Sequence, residues 1–341
     1  MNRLNNFTTE SSRQDTLQNG KEVGSDDEPE SLAANKTAQK WVYVVFTVAC
    51  LIVAIFILVC NMIFIAACWR TRSLRTLSTL FVISLAGSDM LQAVGMVLQA
   101  LFYANNWIGA IMWTDSLCPW IQAVFLTCVP ISILSVAFVA IDRYIYIIYP
   151  YRYPAVMTAT RSKVTIAISW LLWVSFGFSI LYQPKESSDC GVTTVVRSSY
   201  IYVRFAVFVI SAILSGFCHA SIQVVAMRHI RQVYAWSRIS DTHNTPRGTS
   251  AVTPGGISIS SLRLVKTFFL IYVSHVVCWT PALVTPTFRL SAGGLTNLFY
   301  ILAELSACIN VIVYVFSIRQ FRRAIIKLIK CLPQFAQTDT E

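Results

Sequence analysis

The chain has 341 residues, of which 55% are hydrophobic and only 13% are charged, and its formal net charge is +11. Soluble domains carry about a quarter charged residues, so this composition excludes an ordinary soluble protein and indicates a membrane protein. Because the basic residues lie in short clusters between apolar runs, the positive charge does not indicate a nucleic-acid-binding protein.

The first 40 residues are polar and acidic, with almost no large apolar side chains. A segment of this composition cannot bury enough surface to fold, so we predict a disordered tail over residues 1–40. The tail has no apolar core near its start, which argues against a cleaved signal peptide. Asn6 and Asn35 each begin an Asn-X-Thr tripeptide and are glycosylation acceptors if the tail is extracellular.

Seven long apolar runs follow, and each can cross the hydrocarbon layer of roughly 30 Å as a helix of about 20 residues. Isolated strands would leave backbone groups unsatisfied in lipid, so we predict an all-α membrane protein with a seven-helix bundle. The predicted spans are Trp41–Trp69, Thr76–Tyr103, Ser116–Tyr149, Val164–Gln183, Ser199–Arg228, Arg263–Phe288 and Leu295–Ile318. The longest connection, at about 229–262, is rich in Ser, Thr, Gly and Pro and predicts a flexible loop.

Lysine and arginine gather in alternate connections, after the first, third, fifth and seventh apolar runs. The opposite connections carry little beyond Lys185, Arg197 and Arg289. Because cytoplasmic loops are enriched in these residues, we expect the N-terminus outside the cell and the C-terminus in the cytoplasm. The sequence therefore predicts a multi-pass protein of the plasma membrane.

A short basic and amphipathic segment follows the last span. Apolar residues recur there at helical spacing, namely Ile318, Phe321, Ile325 and Leu328. Five cations lie around the other face. This pattern predicts a helix that lies on the inner leaflet and contacts membrane lipids. Cys331 at its end is either a palmitoylated second anchor or an unmodified thiol. The predicted segments are thus a seven-transmembrane domain over 41–318, the amphipathic helix over 319–331 and a short cytoplasmic tail over 332–341.

Polar and signature residues occur within the spans, at depths where lipid makes charged groups costly. They are Asn61 in the first span, Ser84 to Asp89 in the second, Asp142-Arg143-Tyr144 ending the third, Trp170 in the fourth, Cys278-Trp279-Thr280-Pro281 in the sixth and Asn310 to Tyr314 in the seventh. This set, in this order, resembles the rhodopsin-like (class A) G-protein-coupled receptors from about residue 41 to residue 331. The resemblance implies a heterotrimeric G protein as partner and arrestin as a further one.

The resemblance assigns a conformational switch to Asp142, Arg143 and Tyr144, together with Tyr314 of the seventh span. Arg143 would pair with Asp142 at rest and turn toward the G protein on activation. Because its guanidinium can satisfy either partner, it is a two-state element. The alternative is a residue that only marks the cytoplasmic end of the span, but such a residue needs no adjacent Asp142.

The resemblance also implies a sodium site at Asp89 with Ser132, helped by Asn61 and Asn310. The alternative is a protonated Asp89 hydrogen-bonded to Asn310. The resemblance further implies that residues of the sixth span transmit the conformational change from the pocket to the switch. Trp279 would do so by changing its rotamer, and Pro281 by kinking the helix, because proline removes a helical hydrogen bond. His275 lies one turn below Trp279.

Several positions depart from the family pattern. Val311 stands where the seventh span usually has proline, Ser211 where the fifth does, and His219 where a tyrosine is usual. His275 replaces an aromatic residue. Each histidine is either a core residue bonded to a backbone carbonyl or part of a pH-sensitive relay.

Two of the ten cysteines, Cys118 and Cys190, fall in polar connections on the exterior side. The exterior is oxidising, and the pair matches the family's disulfide, which would hold the second outer loop over the pocket mouth.

The class of ligand is restricted mainly by two residues that other members of the family have in the pocket and this chain lacks. Phe125 occupies the place of the aminergic aspartate, so the usual monoamine mode is not expected. Glu304 occupies the place of the opsin lysine, so no retinal is expected. Arg204 and Glu304, in the outer halves of their spans, suggest an amphoteric small molecule or peptide end. The alternatives are an Arg204 that snorkels to the interface and a protonated Glu304 bonded within the sodium pocket. The expected lining is Phe125, Val129, Arg204, Trp279, Leu283, Tyr300 and Glu304.

The sequence contains no nucleophile–base pair, phosphate loop or cysteine–histidine cluster, so neither an enzyme nor a metal centre other than sodium is expected. We predict a receptor that binds an extracellular small molecule or peptide and activates a G protein. A seven-span transporter or proton-coupled carrier is an alternative, although inverted repeats and broken helices are not evident. A receptor-like partner that does not signal is another.

Overall fold

The computed structural model describes residues 30–108, 114–182, 192–242, 259–290, 295–317 and 319–327. Throughout these ranges the regular structure is α-helical or 3-10 helical. Seven of the described helices are long and apolar enough to cross a membrane. Their membrane-length segments are Val44–Arg70, Leu77–Phe102, Leu117–Ile148, Ala159–Tyr182, Ser198–Gln232, Val265–Thr287 and Leu295–Ser317. The predicted all-α fold with seven spans is confirmed.

Most helices run past these membrane-length segments. The long helices are Glu30–Arg70, Leu77–Ile108, Thr114–Ile148, Ala159–Phe178 (continued by the 3-10 turn Ser179–Tyr182), Ser198–Thr242, Ile259–Thr287 and Leu295–Ser317. Short helical turns lie at Arg72–Leu74, Tyr153–Val156 and Val192–Val195. Residues 319–327 are also helical, within the predicted amphipathic segment.

The fifth helix is longer than the sequence predicts. It continues to Thr242, although the connection from about residue 229 was expected to be a flexible loop. The loop signals lie further along, because the stretch from His229 contains neither glycine nor proline before Pro246.

The chain divides into two compact units, Met1–Val44 and Val45–Glu341. In the first unit only residues 30–44 are described, and they are helical. Helix thus begins eleven residues before the predicted span, at Glu30. Three alanines, two lysines and a glutamine favour helix here, and Pro29 stands directly before, where proline is tolerated at a helix start. Asn35 lies in this stretch, and Asn6 lies outside the described residues.

In the second unit the third span occupies the centre of the bundle. Buried residues make up 72% of its most apolar window, against 17% for the fourth span, so the fourth lies at the periphery. The third span packs against the second, fourth, fifth and sixth. Apolar side chains such as Leu171 and Ile213 point outward on the peripheral helices, as expected where the surroundings are lipid.

The third and fourth spans approach closely at Gly177. A side-chain carbon added there would collide with Thr127 and lie 2.7 Å from the carbonyl oxygen of Ala123. Small residues allow such close helix contacts in membranes, where packing rather than the hydrophobic effect holds helices together.

Candidate functional site

Three polar sites lie at different depths along the third span. Phe125 borders a large cavity, Ser132 contacts a buried carboxylate, and Asp142 holds an ion pair. At a rise of 1.5 Å per residue, Phe125 and Asp142 are about 26 Å apart along the helix. The cavity and the ion pair therefore lie at opposite ends of the bundle.

The ion pair joins two adjacent residues. Arg143 Nη2 lies 2.6 Å from Asp142 Oδ2, and Nε donates to the same oxygen at 2.9 Å. Ser78 also donates to Oδ2, at 2.5 Å, while the Tyr153 hydroxyl donates to Oδ1 at 2.9 Å. Asp142 is fully buried, so charge-assisted bonds to both oxygens are what make its charge tolerable.

Tyr153 lies outside the membrane-length segments. Burial and the neighbouring Asp142 carboxylate raise the pKa of its phenol to about 12. The hydroxyl therefore keeps its proton near neutral pH and remains a hydrogen-bond donor to Asp142.

Arg143 forms an ion pair with Asp142 and also borders two aromatic rings and a cavity. Its guanidinium carbon lies 5.1 Å from the centre of the Tyr146 ring and 5.7 Å from that of Phe268. A cavity of about 140 Å³ borders Arg143 and is also lined by Tyr314 and Phe268. Arg143 therefore borders open space as well as its ion-pair partner.

Two predicted switch tyrosines have different surroundings. Tyr314 is buried and packs against Phe268, with ring centres 6.0 Å apart. The ring of Tyr144 instead lies 5.9 Å from Phe217 of the fifth span. The structure therefore brings Tyr314, but not the Tyr144 ring, to the Arg143 cavity.

The second site is a buried carboxylate in mid-bundle. Asp89 is 2% exposed and accepts hydrogen bonds from Ser132 Oγ at 3.2 Å and Asn310 Nδ2 at 3.3 Å. Asn61 borders the same void but donates to the carbonyl of Ile57 on its own helix, at 2.9 Å. Three of the four predicted sodium residues are thus in direct contact.

The oxygen atoms at Asp89 fit a small hard cation. Oxygen ligands suit such ions, and Asn310 Oδ1 has no hydrogen-bond partner within the described ranges. No lysine or arginine in the described part of the chain pairs with Asp89. The void bordered by Asp89 and Asn310 has a volume of about 10 Å³, roughly what one water molecule needs.

The transmission residues lie between these sites. Trp279 is buried, and its Nε1 donates to Ser306 Oγ of the seventh span at 3.1 Å. Pro281 lies inside the sixth helix, as does Pro286. The seventh helix runs unbroken through Val311, and the third helix contains Pro119 and Pro130, so proline positions differ from those that the resemblance suggests.

His219 and His275 are core residues, but the expected carbonyl bond is wrong for His275. Neither of its nitrogens has a partner in the part of the chain that the structure describes, although it is 3% exposed. Its ring lies 6.0 Å from Trp279. His219 is also buried, stacked 5.2 Å from Tyr272, and its Nδ1 likewise has no described partner. Ser211, in the fifth span, is buried as well.

The third site is a cavity of about 530 Å³ at the end of the bundle opposite Arg143. Six of the seven predicted lining residues border it: Phe125, Val129, Arg204, Trp279, Tyr300 and Glu304. The expectation for Leu283 is wrong, because this residue is not among those that line the cavity; its buried side chain packs in an apolar cluster with Phe208 and Ala303.

Two buried charged residues border the cavity, and neither is fully satisfied. Arg204 is 3% exposed and hydrogen-bonds Tyr300, but its Nε and Nη2 have no partner among the described residues. Glu304 Oε1 accepts from Gln92 Nε2 at 2.9 Å, and Oε2 likewise has no described partner. Arg204 therefore faces the cavity rather than snorkelling, and Glu304 bonds Gln92 rather than the Asp89 cluster.

Several contributing residues were missed from the sequence. Gln92, Gln99 and Gln122 could have been found, because each is a polar amide inside an apolar run. Ser78 and Tyr153 carry no such signal. Arg289 lines the cavity with a backbone φ of 51°, a conformation uncommon outside glycine.

Only one of the two cysteines of the predicted disulfide lies among the described residues. Cys118 is buried and disulfide-bonded. Cys190 and Cys331 lie outside the described residues, so the Cys118–Cys190 pairing and the palmitoylation of Cys331 stay predictions.

Comparison with known sequences identifies a family. The family model described as "7 transmembrane receptor (rhodopsin family)" matches residues 60–314. The adenosine receptor A2a of Canis lupus familiaris is 26% identical over 324 residues, covering 86% of this chain and 73% of the relative. The melatonin receptor type 1B-B of Danio rerio is 26% identical, covering 82% and 80%.

A third relative is the alpha-1A adrenergic receptor of Oryzias latipes, 26% identical with 80% of this chain and 65% of the relative covered. These three receptors are named for different ligands at the same identity. Overall similarity therefore does not select a ligand, and the cavity residues must be considered instead.

Proposed function

This chain belongs to the rhodopsin family of seven-transmembrane receptors, and on that premise we propose that ligand binding in the 530 Å³ cavity releases Arg143 at the other end of the bundle. The chain is a G-protein-coupled receptor, a multi-pass protein of the plasma membrane and not an enzyme. We place the cavity outside the cell and Arg143 in the cytoplasm, since lysine and arginine cluster at the Arg143 end. Arrestin remains an expected partner of that end.

A continuous series of contacts between cavity and switch carries this proposal. Trp279 lines the cavity and donates to Ser306. Ser306, Asn310 and Tyr314 follow at intervals of four residues and so share one face of the seventh helix. Asn310 donates to Asp89, and Tyr314 packs against Phe268, the ring that lies under Arg143.

The series suggests how a ligand could act. A ligand can shift the equilibrium only if it binds one arrangement more tightly than the other. A change in how Trp279 sits would alter its bond to Ser306 and the packing of the seventh helix. Tyr314 and Phe268 border the cavity beside Arg143, so their movement would favour the released arginine.

The alternatives from other classes are weaker. Membership of a receptor family argues against a transporter, and the bundle places Asp89 and Glu304 in contact with neutral amides rather than in a chain of titratable groups. A receptor-like partner without signalling activity is tested directly by the experiment below.

A nucleotide-exchange assay tests the proposal. The purified receptor would be reconstituted with each family of heterotrimeric G proteins and a library of small molecules. We expect exchange with at least one G protein, abolished by Arg143→Ala but kept by Arg152→Ala, which removes an exposed cation at the same end. Substrate flux without exchange would support a carrier instead, and neither activity would support a non-signalling partner.

The cavity charges suggest the ligand class. An unpartnered buried donor or acceptor costs about 1–3 kcal/mol. An anionic group on the ligand would satisfy Nε and Nη2 of Arg204, and a cationic or donating group would satisfy Oε2 of Glu304. We therefore favour an amphoteric small molecule or a peptide end.

The ligand proposal is tested by three panels: free amino acids and related amphoteric compounds, amines without an acid, and acids without an amine. We expect activation by the amphoteric panel, weakened at least about 10-fold by Arg204→Met and by Glu304→Gln. Activation by simple amines that survives Arg204→Met would rule out the role assigned to Arg204.

Asp89, Ser132 and Asn310 would hold a sodium ion, which would supply the positive charge that the buried carboxylate lacks. Around it, Asn310 links the second and seventh spans through its bond to Asp89. We expect this link to favour the resting arrangement of the seventh helix.

A further inference from the structure

A hydrogen bond joins the fifth and sixth spans at a point outside the three sites described above. The hydroxyl of Tyr272 in the sixth helix donates to the backbone carbonyl of Ala212 in the fifth at 3.0 Å. Tyr272 lies within the membrane-length segment Val265–Thr287, in its inner half. A phenol at this depth needs a hydrogen-bond partner from the protein, because lipid chains offer none.

The bond depends on a glycine one turn further along the fifth helix. In an α-helix the N–H of Gly216 donates to the carbonyl of Ala212, and that oxygen keeps a second lone pair. Because side chains tilt toward the N-terminus of their helix, a side chain at position 216 would cover this oxygen. A carbon added to Gly216 would lie 2.9 Å from the Tyr272 hydroxyl oxygen and 3.7 Å from ring carbon Cζ. The hydroxyl therefore needs the glycine, and the ring does not.

Aromatic packing holds the Tyr272 ring in place. The ring of His219 lies 5.2 Å from it at an interplanar angle of 31°, and the ring of Phe269 lies 6.4 Å away. His219 and Phe269 also contact each other, with ring centres 5.7 Å apart. Since His219 is buried and belongs to the fifth helix, the ring is held against the helix that accepts its hydrogen bond.

Tyr272 lies on the sixth helix between the cavity and the switch. Trp279, which lines the cavity, is seven residues further along the helix. Phe268, whose ring lies under Arg143, is four residues before Tyr272. Residues at these intervals share one side of a helix. A bond at Tyr272 therefore restricts the rotation of the sixth helix at a point between the ligand cavity and the arginine.

We propose that Tyr272 is a positioning residue, whose bond to Ala212 holds the sixth helix in the arrangement in which Arg143 is paired with Asp142. Breaking the bond frees the sixth helix to turn, which moves Phe268 relative to Arg143 and favours the released arginine. This inference rests on the proposed function, because release of the arginine is detected through a G protein. It adds a second connection, along the sixth helix, to the one that runs along the seventh.

Two substitutions break the bond from opposite sides. Tyr272→Phe removes the donor and keeps the ring, whereas Gly216→Ala keeps the hydroxyl and displaces it from the carbonyl. Tyr200→Phe is the matched control, because the Tyr200 hydroxyl lies 2.7 Å from Ser179 Oγ and links the fourth and fifth spans at the cavity end. Each chain would first be checked for a single thermal unfolding transition in detergent micelles.

Nucleotide exchange would then be measured without ligand, with the full chain and each family of heterotrimeric G proteins. An interhelical hydrogen bond in a membrane protein changes an equilibrium by about threefold on average. We therefore expect Tyr272→Phe and Gly216→Ala each to raise basal exchange about threefold. Combining Gly216→Ala with Tyr272→Phe should add no further rise, because the hydroxyl that the alanine displaces is then absent. Tyr200→Phe should leave basal exchange at the parent level.

Basal exchange at the parent level in Tyr272→Phe would overturn the inference. An equal rise in Tyr200→Phe would also overturn it, since any lost interhelical bond would then activate the receptor. Additive rises for Gly216→Ala and Tyr272→Phe would show that the two changes do not act on one bond, and would reject it as well.

Asp142→Asn separates this inference from the proposed function, because it removes the charge that holds Arg143. A rise in basal exchange for Asp142→Asn but not for Tyr272→Phe rejects only the role of Tyr272. The absence of exchange in every chain, Asp142→Asn included, rejects the proposed function and this inference with it.

Discussion

At the Arg143 end of the bundle, both oxygens of the buried Asp142 carboxylate accept hydrogen bonds from Ser78, Tyr153 and Arg143. At the cavity end, Arg204 and Glu304 are as deeply buried, yet each keeps polar atoms without a partner in the described structure. The first arrangement is complete by itself, whereas no residue in the described ranges completes the second. This difference is the reason for our proposal that a ligand binds at the cavity end and that Arg143 is released at the other.

This comparison predicts opposite responses to loss of charge at the two ends. Removing the Asp142 carboxylate should destabilise the receptor, since Arg143 loses its partner. Removing the Arg204 charge should stabilise the ligand-free receptor, since an unsatisfied group disappears.

The largest expected effect is that of Asp142→Ala. Breaking a buried ion pair by removing one partner costs about 3–5 kcal/mol. Since the Arg143 side chain is 13% exposed and can gain some solvation, we expect the lower part of that range. Thermal unfolding in detergent micelles without ligand measures it. An unchanged transition would show that the ion pair does not stabilise the resting bundle.

The next effect has the opposite sign. Arg204→Met should raise the stability of the ligand-free receptor by about 1–3 kcal/mol, because the unpartnered guanidinium is replaced by an apolar chain of similar length. Arg289→Met is the control, since Arg289 is exposed at the cavity mouth and donates to Ser198 at 3.2 Å. A fall in stability for Arg204→Met would mean that Arg204 is satisfied without a ligand.

A smaller loss is expected for Tyr153→Phe, which removes one donor from Asp142. A hydrogen bond to a charged group contributes about 1.5–3 kcal/mol, and because Tyr153 is only partly buried we expect the lower end of that range. Tyr151→Phe, at a tyrosine that is 98% exposed, is the matched control. Because the folded pKa of Tyr153 is raised to about 12, its contribution persists at neutral pH and is lost only as pH rises through that value. The difference between Tyr153→Phe and the parent should therefore be constant between about pH 6 and pH 9. A difference that disappears within that range would show that another group holds Asp142.

The smallest effect concerns the site between the two ends. If Asp89, Ser132 and Asn310 hold sodium, replacing a choline salt by a sodium salt should stabilise the receptor by about 1 kcal/mol. Asp89→Asn should abolish the difference, and potassium should not reproduce it. Equal stability of the parent in sodium and choline would argue for a protonated Asp89 bonded to Asn310.

The sequence predicts the spans well because hydrocarbon thickness and the cost of buried charge determine where a span begins and ends. The limits of the sixth differ by two residues or fewer from those in the structure: Arg263–Phe288 predicted against Val265–Thr287. The prediction of disorder is wrong for residues 30–40, because overall composition obscured a local run of strong helix formers after Pro29. For residues 1–29, which lie outside the described ranges, it stays a prediction.

The site could be predicted only in part. Polar residues deep in a span, such as Asp89 and Glu304, are visible in the sequence because they are costly there. Their partners are not, because Ser78 contacts Asp142 across 64 residues and Gln92 contacts Glu304 across 212. Such pairings depend on how helices rotate and pack. The same rotation places Leu283 in the apolar cluster and leaves His275 without the expected carbonyl bond.

Nucleotide exchange without ligand by Asp142→Asn tests the central claim most directly. Asparagine keeps the size of Asp142 but removes the charge that holds Arg143, so we expect basal exchange on the cognate G protein to rise severalfold. Adding Arg143→Ala to the same chain should abolish the increase, while adding Arg152→Ala should not. Basal exchange that stays at the parent level in Asp142→Asn, or that survives Arg143→Ala, would contradict a switch built on this ion pair.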